Sequence, residues 1–163
     1  MSNLANVDFY YGAVLSHLLT SNKEHNPSLI EDSDERRVFN IMTDKHSYML
    51  RLHKSEEKRD VKGDAISWTF TLPYKAVQGL QSNYKKDIRN VIALVLVDAK
   101  KLSDSRIIYF TDTHLEAKGV FKESAKSLGM TVRKYSNKND YLLFIDKKIE
   151  NAMPVKQNLN LNY

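Results

Sequence analysis

Apolar and polar residues repeat along this chain in two periods. Over residues 8–20 the apolar side chains Tyr11, Val14, Leu15, Leu18 and Leu19 recur at i, i+3, i+4, i+7 and i+8, which predicts an amphipathic helix. Asn6 or Asp8 is placed to cap its start. Gly12 costs this helix about 1 kcal/mol relative to Ala and is expected to let another backbone approach closely. Residues 21–35 are polar and contain Pro27, so a loop is expected. Residues 37–43 and 46–53 then alternate with period two, with Asp44-Lys45 between them as a hairpin connection. Phe39 and Ile41 share one face, and so do Tyr48, Leu50 and Leu52. Residues 54–64 are polar apart from Val61 and are expected to form a loop. Next, Ile66, Trp68, Phe70 and Leu72 alternate with Ser67, Thr69 and Thr71, which predicts a strand with one buried face and one hydroxyl face, ended by Pro73.

Residues 74–84 predict a short helix, with Tyr74, Val77, Leu80 and Tyr84 on one stripe. Residues 91–97 (VIALVLV) are apolar throughout, the pattern of a central strand covered on both faces, here expected from helices. A turn at 98–105 and a strand at 106–110 follow. Thr113 and Glu116 have the spacing of a capping box, so a helix is expected to run to Leu128, with Gly129 as its left-handed cap. Residues 130–135 and 141–146 predict a second hairpin. The expected order is α-β-β-β-α-β-β-α-β-β. It implies one α+β (mixed α/β) domain over residues 1–146, a mixed sheet flanked by helices, and a polar C-terminal tail over 147–163. A length of 163 residues fits one domain.

The first six elements, across residues 7–97, resemble in their order the restriction-endonuclease-like nuclease fold. That resemblance implies an acid on the second core strand and a D/E-x-K pair on the third, which would hold Mg²⁺ and orient water. The strand Ile66-Ser-Trp-Thr-Phe-Thr-Leu72 has neither acid nor lysine, and the D-x-K of Asp98-Ala-Lys100 comes one strand too late. The resemblance therefore points to an inactive relative, or to a divergent nuclease using Asp98 and Lys100 with a further acid such as Asp64.

Composition narrows the chemistry. The chain has no cysteine, which excludes disulfides, zinc–thiolate sites, iron–sulfur clusters and thiol nucleophiles. No apolar run approaches the ~18 residues that span a bilayer, and no basic-then-apolar leader opens the sequence. A cytoplasmic protein with no membrane partner is expected. The 18 Lys against 7 Arg, with 13 Asn, suit a bacterial or phage genome. Phosphate-binding loops of the NTPase and Rossmann types and the hydrolase nucleophile elbow are missing. The five histidines, 17, 25, 46, 53 and 114, lack metal-ligand spacing. His17 is expected on the polar side of its helix. The acidic group Glu31, Asp32, Asp34 and Glu35 lacks the glycine and spacing of a calcium loop. No cofactor, metal or catalytic residue is expected, and the balance is against an enzyme.

Charge carries the remaining signal. The net charge is +5, but residues 1–50 sum to −3, while 51–100 and 101–163 each sum to +4. Lys118, Lys122 and Lys126 are spaced to share one face of the expected third helix. Such like charges oppose helix formation by ~0.2–0.5 kcal/mol per pair, a cost that phosphate neutralisation would offset. Arg133 and Lys134 follow closely, with Lys138 and the aromatic Tyr135 beside them. These residues are the expected contacts of a non-catalytic domain that binds nucleic acid or another polyanion through its basic C-terminal half. The plainer reading of the lysines is a solvated helix face. The alternative function is a protein-interaction or assembly factor with a protein partner or a second copy. Tyr10, Tyr11, Trp68, Phe70 and Phe121 are assigned to the core, with Tyr48 and Tyr109 undecided.

Overall fold

The computed structural model describes residues 6–21, 28–30, 38–43, 47–59, 64–98, 100–145, 152–157 and 159. Its helices are α1 (Asn6–Ser21), α2 (Tyr74–Lys85) and α3 (Asp112–Ala117). Its strands are β1 (Ser28–Ile30), β2 (Val38–Met42), β3 (Ser47–Arg59), β4 (Ala65–Leu72), β5 (Arg89–Val97), β6 (Arg106–Thr111), β7 (Leu128–Tyr135), β8 (Tyr141–Ile145) and β9 (Met153–Val155). The chain is a mixed α/β domain in the expected order, with β1 and β9 added. β1 falls in an expected loop, and β9 in the expected tail.

β3 organises the fold. Its first part pairs antiparallel with β2 and parallel with β5, from Tyr48 opposite Arg89 to Glu56 opposite Val97. Its last three residues pair with β4 instead, Glu57 opposite Trp68 through Arg59 opposite Ile66. The expected loop over 54–64 is thus corrected: residues 54–59 are strand, because both neighbours supply ladder partners that polar side chains do not forbid. One layer therefore reads β1-β2-β3-β5-β6 and the other β4-β7-β8-β9, all β4, β7 and β8 contacts being antiparallel. The Tyr109 amide donates to the Lys156 carbonyl at 3.0 Å, which brings the end of β9 beside β6. The seven strands β3-β5-β6-β9-β8-β7-β4 thereby form a ring that returns to β3.

The core follows from the alternation. Between the layers lie Trp68, Phe70 and Leu72 of β4, Ile92, Leu94 and Leu96 of β5, and Leu128, Met130 and Val132 of β7. Val77 and Leu80 of α2 and Val155 of β9 close this space. The other face of β5, Val91, Ala93, Val95 and Val97, packs with Tyr48, Leu50 and Leu52 of β3 under Tyr11, Val14 and Leu18 of α1. β5 is buried on both sides as expected: among the described helices α1 covers one side, and the other side meets α2 and the opposite layer. Tyr48 and Tyr109 both join the core. Gly12 is exposed, and a Cβ there would meet nothing within 4 Å, so no backbone among the described residues approaches it. The outer face of α1, not its packed face, carries that glycine.

The third helix is shorter than its sequence predicts. The Thr111 side chain caps it, with the amide of Thr111 donating in return to His114 Nδ1 at 3.2 Å. The expected Thr113/Glu116 box lies two residues too late. The helix stops at Ala117, where Gly119 takes φ 72°. The amides of Gly119 and Val120 donate to the carbonyls of Glu116 and Leu115, a left-handed C-terminal cap. Val120 then inserts into the core between the layers. Gly129, expected as the cap, lies inside β7.

Candidate nucleic-acid interface

Strands β4 and β7 run side by side from Leu72 opposite Leu128 to Ala65 opposite Tyr135. Their apolar residues point to the core, so the remaining ones face outward by the period of two. On that outer side stand Ser67, Thr69 and Thr71 of β4 with Thr131 and Arg133 of β7. The Thr69 and Thr131 hydroxyls are 3.4 Å apart. The Arg133 guanidinium carbon sits 5.5 Å from the ring centre of buried Phe144, so the cation lies over an apolar ring. No residue of β4, β7, β8 or β9 is acidic.

The lower end of this ladder is a turn that carries Lys138 and Asp140, with Lys134 just before it. The Ser136 amide donates to the Asp64 carbonyl at 3.1 Å, which extends the β4–β7 pairing past Tyr135. The Lys138 amide donates to the Tyr135 carbonyl at 3.1 Å and tightens the turn. Lys138 Nζ lies 5.7 Å from the Tyr135 ring centre, and Lys134 Nζ lies 5.3 Å from that of Tyr141. Burial raises the Tyr141 phenol above its usual pKa, partly opposed by the Arg106 charge. The Tyr141 phenol therefore stays neutral at physiological pH and presents its ring, not an anion, to Lys134.

The structure brings some of the expected binding residues together and separates others. Lys118, Lys122 and Lys126 do not share a helix face, because the helix ends before them at the Gly119 cap. Lys118 and Lys126 both line a small cavity of about 20 Å³ with Glu123 and Ser124. Lys126 pairs there with Glu123 at 2.8 Å. Lys122 is exposed on the turn between them. Arg133 and Lys134 belong to the opposite end of β7. At ~3.3 Å per residue, the six steps from Leu128 to Lys134 separate the two basic ends by about 20 Å.

Other candidates resolve into structural roles. Asp98 Oδ1 accepts from the amides of Lys100 and Lys101 at 2.9 and 3.0 Å, so it closes the turn after β5. Trp68 Nε1 donates to the Val97 carbonyl, which sets Asp98 near the level of Trp68 on β4. Asp64 is four residues along that strand, about 13 Å away by strand rise, so Asp64, Asp98 and Lys100 do not converge. Among the described residues no three His, Asp or Glu side chains gather as a metal site. The acidic group 31–35 and His25 and His46 lie outside the described residues.

His17 corrects its expected polar placement: Nδ1 lies 3.0 Å from the hydroxyl of buried Tyr109, half-buried between α1 and β6. Burial, with the neighbouring Tyr48 charge adding, holds the Tyr109 phenol far above its usual pKa. Asp112 accepts from the Asn90 amide and side chain at 2.8 Å each, and Asn83 donates to Asn90, tying α2, β5 and α3 together. The short i, i+4 apolar signal of α2 gave no hint of this polar tie. No known protein family matches the chain, and no curated protein or solved structure matches it either.

Proposed function

We propose that this domain binds nucleic acid or a related polyanion, without catalysis, through the basic surface of its C-terminal half. The observation that carries this reading is the acid-free outer layer β4-β7-β8-β9, with Arg133 among the hydroxyls of Ser67, Thr69, Thr71 and Thr131. Hydroxyls and guanidinium both donate to phosphate oxygens, and the absence of carboxylates in these strands removes repulsion from an approaching backbone. Basic groups flank the layer at both ends: Lys118, Lys122 and Lys126 at one, Lys134 and Lys138 at the other. Their separation of about 20 Å matches roughly six steps of a strand at 3.4 Å each. The test is anisotropy of a labelled DNA duplex and a labelled RNA at two salt concentrations. Changing Lys118, Lys122 and Lys126 to Glu, or Arg133 to Glu, is expected to weaken binding and flatten its salt dependence, by a slope of about 0.9 for each phosphate that is no longer neutralised. Unchanged affinity and slope in both variants refutes the reading.

A second reading, docking to a protein partner, is favoured by α1. Phe9 is 63% exposed and Leu19 is 39% exposed, with only Gly12, Ala13 and Ser16 between them on the outer side. A co-purifying stoichiometric protein that survives nuclease and high salt and is lost on Phe9→Asp supports it; salt-sensitive capture removed by nuclease counts against it.

A further inference from the structure

A groove of about 290 Å³ opens where β4 begins and β7 ends. Asp64 lines one wall, and Lys134, Tyr135, Ser136 and Lys138 line the other. We propose that this groove receives one unpaired nucleotide of a single-stranded nucleic acid, its base against the ring of Tyr135 and its phosphate on Lys138. The inference rests on the polyanion-binding reading above and names the form of nucleic acid that this end of the layer takes.

Four features lead to it. First, the volume sits at the lower edge of the range for ligand sites, roughly 300–1,000 Å³, so the groove admits one base with its sugar and not a base pair. Second, Tyr135 is half-buried and held on both sides, by the Ala65 pairing and by the turn bond from Lys138. These bonds fix its backbone, so a base that stacks on the ring costs only side-chain freedom. Third, the exposed Lys138 already reaches a face of that ring. The face is therefore open from solvent, and an arriving base would displace the ammonium only as far as the attached phosphate. Fourth, the wall charges are opposed. The Asp64 carboxylate repels a phosphate and accepts from base amino groups, whereas Lys138 attracts the phosphate, so a nucleotide has one favourable orientation. A duplex cannot make this contact, because both faces of its bases are stacked internally, whereas an unpaired base has a face to offer.

The experiment measures anisotropy of four probes on the full chain: single-stranded DNA, single-stranded RNA of the same sequence, the matching duplex, and heparin. Tyr135→Ala is expected to weaken both single strands about 10-fold and to leave duplex and heparin unchanged. Tyr135→Phe keeps the ring and should bind as the parent does. Lys138→Ala, at an exposed turn position, should weaken the single strands without altering the urea midpoint, which covers the case that Tyr135→Ala does not fold. Loss confined to one of DNA or RNA supports the groove and identifies the sugar it accepts. Equal losses on all four probes from Tyr135→Ala, or no loss on single strands from either Tyr135→Ala or Lys138→Ala, overturn the inference. Parent binding to duplex and heparin but not to single strands overturns it while the broader reading stands. Parent binding to none of the four overturns both.

Discussion

Two glycines offer a controlled test of how the helix ends are built. Gly12 lies within α1 and Gly119 ends α3 at φ 72°, and a Cβ at either would meet nothing within 4 Å. Replacing each by Ala therefore adds no clash. Both substitutions also restrict the unfolded chain in the same way, so that effect cancels between them. What differs is the folded backbone. Ala within a helix is favoured over Gly by about 0.5–1 kcal/mol. Ala in the left-handed region costs about 1–2 kcal/mol, partly offset by its stiffer unfolded state. Gly12→Ala should therefore stabilise the protein by about 0.5–1 kcal/mol, and Gly119→Ala should destabilise it by about 1 kcal/mol. With a urea slope near ~2 kcal/mol/M, the midpoints should move in opposite directions, up by ~0.3–0.5 M and down by ~0.5 M. Urea melts followed by circular dichroism, at constant slope, measure both. Shifts of the same sign, or a Gly119→Ala protein as stable as the parent, would refute the left-handed cap and with it the early end of α3.

Further expectations follow from buried groups. Tyr109→Phe removes the hydroxyl facing His17 Nδ1 at 3.0 Å and should cost about 1 kcal/mol; a double-mutant cycle with His17→Leu should show coupling, and independent effects would contradict the contact. Burial, partly opposed by a hydrogen bond to the Pro154 carbonyl, lowers the His114 pKa below its ordinary 6.5. The unfolded chain then binds more protons between that lowered value and 6.5, so His114's contribution is present above 6.5 and lost as pH falls through this window. His114→Gln should remove that slope. Burial also raises the Asp112 pKa, against opposing hydrogen bonds from Asn90, so its contribution is lost as pH rises through the raised value; the His114 variant separates the two in pH-dependent urea melts. Val155→Ala deletes two methyl groups from the core between the layers and should cost about 2 kcal/mol. A loss under ~0.5 kcal/mol in the same melts would show that β9 docks loosely.

Elements with strong periodicity were legible from the residues. VIALVLV could only be buried on both sides, and the Trp68 alternation fixed which face of β4 is wet. Legibility failed where tertiary pairing overrode local chemistry. Residues 54–59 look like a loop because they are charged, yet β4 and β5 provide hydrogen-bond partners for their backbone. β9 has too few residues for a periodic signal, and only its pairing with β8 makes it a strand. The lysine stripe misled for a different reason. Its spacing was helical, but Gly119 ends the helix one residue after Lys118, and the apolar Val120 gains more from entering the core than from continuing a solvated turn. Lys134, Tyr135 and Lys138 were visible as neighbours in sequence. Asp64 could not be joined to them without the β4–β7 register, since 70 residues separate it from Lys134.

The route of β3 from one layer to the other has a consequence for how the molecule assembles. The first layer gains its parallel β3–β5 pairing only after α2 has been made, and the ring stays open until Lys156 reaches Tyr109. Contacts of such long sequence separation carry the largest loop-closure cost and form late. During synthesis, then, β6 waits with a bare hydrogen-bonding edge while the chain from α3 to β9 emerges. That interval exposes one open strand edge to other chains. The segment that shields it does not need to stabilise the finished core greatly; arriving at all ends the period in which misassembly competes with folding.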